Sequence, residues 1–457
     1  MDRMSPQDAV FLHVENEVSH MHIASVGIFE GPAPSYDEIV KMVSTKLHHV
    51  PRYRQRVRFV PLELGRPLWV DDPHFNIRYH IRHTSLPSPG SDEQLRNLVG
   101  RVMSQQLDRA KPLWEIWIAE GLEDDRWAIL SKTHHCMVDG VSGTDLLTVI
   151  LDQSPKPKRE KAKSWEPEEQ PSSVQLFRSA LQERLVSPYE IARSLRSAVR
   201  GPRRLMEQVR EVGSGLSTFR SMAQSTSETA LNGPIGPHRR WNWAKTTLDE
   251  IRSIRKVHGG TVNDVVLAVI TRGFRDLLQS RGEPVADRVV RTLVPVSVRK
   301  EDEKGTYNNR VSVMFAELPV GIEDPLERLA SIREQLNLLK ERKQAVAAEV
   351  LTSMSGFAPP MLLALAARVG TRLPQQTVQT VTTNVPGPQQ PLYAAGRRML
   401  SAMPYVPLSG TVRIGVAIFS YAGQLNFGVT ADYETAPDIE ILCAGIEQGV
   451  SELLEKT

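Results

Sequence analysis

Apolar positions along the chain switch repeatedly between helical and alternating spacing, which predicts a mixture of helices and strands. Ser5 and Pro6 are typical of a helix start, and Val10, Phe11 and Val14 follow at helical spacing. The same reasoning applied to the first 152 residues predicts further helices at 36–49, 92–107 and 144–151 and strands at 22–29, 67–70, 75–83, 113–118 and 127–134.

The second half of the chain shows the same mixture. Asp324-Pro325 repeats the cap-and-proline pattern of a helix start. Helices are predicted at 249–257 and 262–279, after Asp324 and from 439, and strands at 289–298, 310–318, 377–384, 412–419 and 425–433. Because both halves mix the two element types without a fixed-period repeat, the pattern predicts an α/β fold.

The chain between the two halves has a different composition. Residues 153–173 are rich in proline, lysine, glutamate and serine and are expected to form a mobile linker. Residues 174–220 return to amphipathic helical spacing, and their nine arginines against four glutamates give a net charge of +5. The length of 457 residues exceeds the roughly 250–300 residues that one core usually supports. We therefore expect domains at 1–152 and 241–457, joined by a linker and basic amphipathic helices at 153–240.

The overall composition is that of an ordinary globular protein. Hydrophobic residues make up 40% and charged residues 24% of the chain, and the net charge of +3 gives no reason to expect nucleic-acid binding. The two cysteines, Cys136 and Cys443, cannot build a disulfide framework or a thiolate zinc site. The N-terminus lacks a signal-peptide pattern, and no apolar run approaches the ~20 residues that cross a bilayer. These features predict a cytoplasmic protein without a transmembrane segment.

The strand predicted at 127–134 ends in the segment His134-His135-Cys136-Met137-Val138-Asp139-Gly140, which has the spacing His-His-x-x-x-Asp-Gly. This spacing resembles the signature of the coenzyme A-dependent acyltransferase superfamily, which includes chloramphenicol acetyltransferase and peptide-synthetase condensation domains. Within that superfamily the chain is similar, over nearly its whole length, to the bacterial wax ester synthase/acyl-CoA:diacylglycerol acyltransferase family. The closer resemblance rests on Pro112-Leu113-Trp114, Asn232, Arg239-Arg240, Asn263-Asp264, Thr383 to Pro388, and an N-terminus with Ser5 to Ala9 and His20 to His22.

The resemblance implies two mixed α/β domains of the chloramphenicol-acetyltransferase type with a channel between them. It also implies transfer of a long-chain acyl group from acyl-CoA to diacylglycerol, giving triacylglycerol, or to a long-chain alcohol, giving a wax ester. No metal or bound cofactor is expected, since acyl-CoA is a substrate. Because such acceptors reside in lipid, a peripheral position on a membrane or lipid droplet is expected. The basic segment 174–220 is the candidate anchor, and a solvated surface helix pair is the alternative interpretation.

Two other functions fit the same residues. A condensation or polyketide-associated acyltransferase would take its acyl donor from a carrier protein, although the chain shows no carrier or adenylation module. A non-catalytic lipid-binding protein would use the fold without chemistry, with His135 only hydrogen-bonded inside a tunnel. Incubation with acyl-CoA and each acceptor separates these functions.

The chemistry of acyl transfer makes His135 the candidate general base. An alcohol has a pKa near ~15, so its proton must leave as the oxygen attacks the thioester, and a neutral imidazole of pKa ~6.5 accepts it at pH 7. Consecutive residues of a regular strand face opposite sides, so His134 and His135 cannot both face one cavity. The resemblance assigns catalysis to His135 and a structural hydrogen bond to His134. A metal site is disfavoured because adjacent histidines chelate poorly.

Asp139 and Gly140 complete the motif. Asp139 is a candidate either to orient the histidine or to form a tight turn, and Gly140 permits a backbone angle that other residues resist. The resemblance favours a structural Asp139 that pairs with an arginine from the other half of the chain. Arg299 is the candidate for that arginine.

A second motif lies at the helix start predicted near residue 262. Thr261 has the character of an N-cap and Asp264 stands at the third helical position, which is the pattern of a capping box. Asp264 is therefore expected to be structural. Asn263 is a candidate donor to the oxyanion of the reaction, with a purely structural role as the alternative.

Two segments are candidates for substrate binding. Pro112, Leu113 and Trp114 start a predicted strand and are expected mainly to pack in the core, although the resemblance places them near the acyl channel. Asn384 ends another predicted strand before a proline-glycine turn, where a contribution to the channel is expected.

Overall fold

The computed structural model describes residues 2–61, 64–138, 146–156, 161–179, 229–297, 311–341 and 378–457. Within these residues the chain builds two six-stranded mixed sheets and one three-stranded sheet, with helices packed on them. The predicted α/β class is therefore confirmed.

The N-terminal half contains the predicted elements in their predicted order, together with short strands at 2–3 and 55–58 and a short helix at 77–80 that the pattern does not predict. It contains β1 (Asp2–Arg3), α1 (Pro6–Val14), β2 (His22–Phe29), α2 (Tyr36–Lys46), β3 (Gln55–Arg58), β4 (Leu68–Asp71), α3 (Ile77–His80), β5 (Ile81–Ser85), α4 (Asp92–Met103), β6 (Trp114–Leu122), β7 (Arg126–His134) and α5 (Leu146–Ile150). The prediction of a strand over 75–83 is wrong in its first half. The side chain of Asn76 accepts a hydrogen bond from the Arg78 N–H and caps α3, so the strand begins only at Ile81.

The C-terminal half forms the second large sheet. It contains β8 (Arg239–Thr247), α6 (Leu248–His258), α7 (Val262–Ser280), β9 (Val290–Ser297), β10 (Val311–Leu318), α8 (Pro325–Glu341), β11 (Thr380–Val385), β12 (Tyr393–Ala394), β13 (Arg397–Tyr405), β14 (Ile414–Tyr421), β15 (Gln424–Asp432) and α9 (Ile439–Glu455). Six of these strands pair in the order β10-β9-β11-β14-β15-β8. The long helices α7 and α9 share one hydrophobic core with this sheet, which explains the nearly continuous apolar face of α7.

Strands β12 and β13 leave the C-terminal half and join the N-terminal sheet. The strand order of that sheet is β12-β13-β2-β7-β6-β5, with β13 antiparallel to β2. The hydrophobic pattern does not predict β13, because the strand starts with Arg397 and Arg398 and contains Pro404, which lacks a backbone N–H. Pro404 is accommodated because β12 pairs only with the opposite end of β13, through Arg397 and Arg398. The N-terminal sheet therefore includes a segment from beyond residue 241.

Described residues of the segment between the halves contact the three-stranded sheet. The side-chain oxygen of Gln170 accepts hydrogen bonds from Arg56 and Arg58, each at 3.0 Å, and the guanidinium of Arg54 lies 5.1 Å from the centre of the Trp165 ring. Trp165 and Gln170 thus make specific contacts within the stretch 153–173, whose mobility stays a prediction. Of the basic segment 174–220, residues 180–220 lie outside the described part of the chain.

The two large sheets meet where β15 and β8 cross β13. The indole N–H of Trp241 donates to the Pro404 carbonyl at 3.1 Å, and the side-chain amide of Asn426 donates to the Ala402 carbonyl at 2.9 Å. Gly428 lies at the same crossing, where an added Cβ would stand 1.7 Å from the Pro404 oxygen. The absence of a side chain at Gly428 thus permits the close approach of the two sheets.

We predict that Gly428→Ala lowers the melting temperature by several degrees, because the Cβ forces β15 away from β13. Overpacking of this kind costs about 1–3 kcal/mol. Gly236→Ala is the matched control, since its Cβ would meet nothing nearer than Asp432 Oδ1 at 3.6 Å. Differential scanning calorimetry of the two variants checks the prediction, and equal melting temperatures would contradict it.

Candidate active site

The two motif histidines lie where β7 ends and the chain turns. Strand β7 stops at His134, and His135–Met137 form one turn of 3-10 helix. The backbone N–H of Cys136 donates to Nδ1 of His134 at 3.1 Å, so the His134 ring caps this turn. The backbone N–H of His135 donates to the Met21 carbonyl at 2.8 Å. These two hydrogen bonds fix the backbone that carries His135.

The His135 ring is held against helix α1. It stacks on Phe11 with ring centres 3.9 Å apart and an interplanar angle of 18°. Its Nδ1 is buried and has no hydrogen-bond partner among the residues that the structure describes. Burial, together with the nearby His134, lowers the pKa of His135 to about 4. The imidazole is therefore neutral at pH 7 and has a nitrogen free to accept a proton.

A buried charge cluster surrounds His134. The carboxylate of Glu15, which follows α1, is only 4% exposed. It lies 3.5 Å from Nε2 of His134 and 3.3 Å from Nε2 of His22, and it accepts a hydrogen bond from Nε of Arg109 at 2.9 Å. Burial alone raises the pKa of Glu15, but the two imidazoles more than offset it, so the pKa lies well below its usual range. Sequence reasoning missed Glu15, because an acidic residue just after a helix normally indicates exposed surface.

The predicted capping box at α7 is present. Oγ1 of Thr261 accepts from the Asp264 N–H at 3.3 Å, and Oδ2 of Asp264 accepts from the Thr261 N–H at 2.7 Å. Asn263 lies beside them in the first turn, partly exposed. Asp264 thus caps the start of α7 together with Thr261, and the role of Asn263 stays a prediction.

The segment that includes Trp114 belongs to the core beside the histidines. The side chains of Pro112, Leu113 and Trp114 are buried, and the Trp114 indole donates to the Tyr53 carbonyl at 2.8 Å. The Leu113 carbonyl accepts from the His134 N–H at 2.9 Å, so the segment supports the end of β7 directly. This burial fits the packing role that the sequence favours.

Three of the predicted site residues, Asp139, Gly140 and Arg299, lie outside the described part of the chain. Asn384 is described and lies partly buried in β11, paired with Ile418 of β14. In the portion of the chain with described coordinates, no group of three or more His, Cys, Asp or Glu side chains could hold a metal ion. No helix in that portion is both long and apolar enough to cross a membrane.

Comparison with known families decides how this arrangement is classified. A model of the wax ester synthase/diacylglycerol acyltransferase catalytic domain matches residues 4–266, and a model of the corresponding C-terminal domain matches residues 307–454. The chain belongs to the wax ester synthase/diacylglycerol acyltransferase family. It is therefore an acyltransferase, and the predicted family is confirmed.

Individual relatives of this acyltransferase span its whole length. It is 37% identical over 456 residues to the probable diacylglycerol O-acyltransferase tgs1 of Mycobacterium tuberculosis (strain ATCC 25618 / H37Rv), covering 99% of this chain and 96% of the relative. The solved structure of the wax ester synthase/diacylglycerol acyltransferase from Marinobacter aquaeolei VT8 superposes with a TM-score of 0.69 at 25% identity, covering 99% of both chains. The first condensation domain of the CDA synthetase, at 13% identity, 99% and 96% coverage and a TM-score of 0.59, shares the fold.

We predict that the stability of the acyltransferase falls as the pH drops from about 6.5 to about 4. Burial lowers the pKa of His135 and of His80 to about 4 and that of His22 to about 3. The unfolded chain takes up protons on these rings below its ordinary pKa of ~6.5, whereas the folded chain does not, so acidification favours unfolding.

Urea unfolding midpoints measured at pH 7, 6, 5 and 4 check this prediction. His80→Gln, which removes one of these buried rings and leaves His22 and His135 in place, should reduce the pH dependence. An unfolding midpoint that stays constant from pH 6.5 to 4.5 would contradict it.

Proposed function

We propose that this acyltransferase transfers a long-chain acyl group from acyl-CoA to diacylglycerol or a long-chain alcohol, with His135 as the general base. The observation that carries the proposal is the placement of His135. Its backbone N–H is bound to the Met21 carbonyl, and its neutral ring stacks on Phe11 and has an Nδ1 without a hydrogen-bond partner among the described residues. The names of the Mycobacterium tuberculosis and Marinobacter relatives support the two acceptor classes.

In the proposed reaction His135 accepts the hydroxyl proton while the acceptor oxygen attacks the carbonyl carbon of the thioester. The resulting tetrahedral oxyanion is stabilised by a donor such as the Asn263 amide or a backbone N–H. The carbon–sulfur bond then breaks, the ester forms, and the thiolate of coenzyme A leaves and takes the proton back from His135. A ring whose pKa is near 4 is a weaker base, but it stays in the proton-accepting form throughout the neutral range.

The remaining site residues have supporting roles in this proposal. Acyl-CoA and the acceptor reach His135 through a channel between the two halves. Asp139 and Gly140 shape the turn after His135, and Arg299 pairs with Asp139. Pro112, Leu113, Trp114 and Asn384 support the walls of the acyl-binding region.

The acyltransferase meets its lipid substrates at the surface of a membrane or droplet in this proposal. Support comes from an exposed apolar group on the helical segment 173–179, where Val174 is 61% and Phe177 39% exposed. Phe59, 38% exposed, follows Arg58, whose guanidinium lies 3.5 Å from Ser173 Oγ. Apolar side chains close to cationic ones are the combination that binds an anionic lipid surface.

We predict that His135→Ala lowers kcat by about 10²- to 10⁴-fold, the usual contribution of a positioned base. The assay follows ester formation from radiolabelled palmitoyl-CoA with diacylglycerol, hexadecanol or hexadecylamine as acceptor. Transfer to the amine alone would instead indicate condensation-type chemistry. A folded His135→Ala protein that keeps more than about a tenth of wild-type activity would disprove the assigned role.

We also predict that the double variant Val174→Ser/Phe177→Ser partitions roughly tenfold less onto phosphatidylcholine–phosphatidylglycerol vesicles, because the apolar area available for insertion is lost. Val257→Ser is the matched control, since Val257 is 55% exposed on helix α6. Flotation measures both variants, with added salt expected to weaken wild-type binding. Equal flotation of the double variant and the control would remove this patch as the docking surface.

A further inference from the structure

Glu15 is a buried carboxylate that the proposed chemistry does not use. Helix α1 ends at the residue before Glu15. The backbone N–H of Glu15 donates to the Phe11 carbonyl at 3.2 Å. Phe11 and Glu15 are four residues apart, so they lie on the same side of the helix end. Phe11 contacts the ring of His135 and Glu15 faces the ring of His134. One end of α1 therefore touches both motif histidines.

The hydrogen bond at Nδ1 determines where His134 carries its proton. Nδ1 accepts from the Cys136 N–H, so it cannot hold a proton itself, and the neutral ring must carry its hydrogen on Nε2. Nε2 faces Oε2 of Glu15 at 3.5 Å, which is long for a hydrogen bond but close for an electrostatic contact inside a protein. A negative carboxylate at this place favours the Nε2–H tautomer and disfavours the other one.

The negative charge on Glu15 is stabilised by Arg109. Arg109 donates to the carboxylate from Nε at 2.9 Å and also from Nη2, and a guanidinium is cationic at every relevant pH. The same arginine argues against a metal ion between Glu15, His22 and His134, because a bound cation would stand next to a permanent positive charge. The cluster is therefore suited to holding a ring and not to binding a metal.

We infer that Glu15 is a positioning residue for acyl transfer, which rests on the proposed role of His135. Arg109 and the rings of His22 and His134 together keep Glu15 ionised, and Glu15 holds His134 in the Nε2–H tautomer. The free Nδ1 then caps the turn that presents the His135 ring. Loss of the Glu15 charge allows the other tautomer, in which Nδ1–H opposes the Cys136 N–H, and the turn shifts.

The test is a double-mutant cycle between Glu15 and His134. Glu15→Gln should lower kcat by about tenfold or more with the KM of both substrates little changed, because the buried Glu15 side chain acts on the turn only through His134. His134→Asn keeps an acceptor at the place of Nδ1 and should retain most activity. His134→Gln offers its amide at the place of Nε2, loses the cap, and should lose activity.

The decisive arm is Glu15→Gln in the His134→Asn background. Asparagine has no tautomers, so the second substitution should change kcat by less than about twofold. Glu452→Gln is the matched control, since Glu452 pairs with the buried Arg328 far from the turn in sequence and should leave kcat unchanged. If Glu15→Gln costs the same factor in both backgrounds, Glu15 acts by another route and the inference fails.

A second measurement does not depend on activity or on any variant. Long-range ¹H–¹⁵N spectra of histidine-labelled wild-type protein distinguish the two tautomers, and His134 should show its proton on Nε2. A proton on Nδ1 would overturn the inference even if every kinetic result agreed. Conversely, an active His135→Ala protein would disprove the proposed base while leaving the tautomer result for His134 to stand by itself.

Discussion

The antiparallel pairing of β2 with β7 is the constraint on which the site depends. Its register places His22 opposite His134, and the residue just before β2, Met21, supplies the carbonyl that binds the His135 N–H. The other edge of β2 pairs with β13, so the same strand links the two halves of the chain. A shift of one residue in this register would turn every side chain of β2 to the opposite face and separate His22 from Glu15.

The free-energy cost of burying ionisable groups around the turn is reduced either by keeping the group neutral or by an opposite charge or dipole close to it. The rings of His22 and His135 are kept neutral, because burial lowers the pKa of both. The Glu15 carboxylate stays charged and has a guanidinium beside it. Lys132, two residues before His134 on the same face of β7, donates to the Val102 carbonyl at the end of α4, where the negative end of the helix dipole stabilises an ammonium. Glu15 and Lys132, two buried charges near the turn, thus each have an opposite charge or dipole beside them.

Much of the fold was predictable because local signals agreed with the tertiary structure. The N-cap of Ser5 and the capping box at Thr261 start their helices where the sequence predicts, and β2 has the predicted bounds from His22 to Phe29. Strand β13 was not predictable, since its arginines and Pro404 are accommodated only by its neighbours in the folded sheet. The sequence likewise identified the histidine motif, but it could not reveal Glu15, whose burial arises from contacts with residues 7 to 119 positions away.

The position of β13 in the N-terminal sheet has a consequence for how the protein is synthesised. Until residue 405 has left the ribosome, the N-terminal sheet lacks its strand beside β2, although β5, β6 and β7 are already synthesised. An unpaired apolar strand edge is a template for association with other chains, so a nascent or truncated N-terminal half exposes one. The sheet that carries the histidine turn is thus completed only late in translation, and the N-terminal half of this acyltransferase does not contain all the strands of its own sheet.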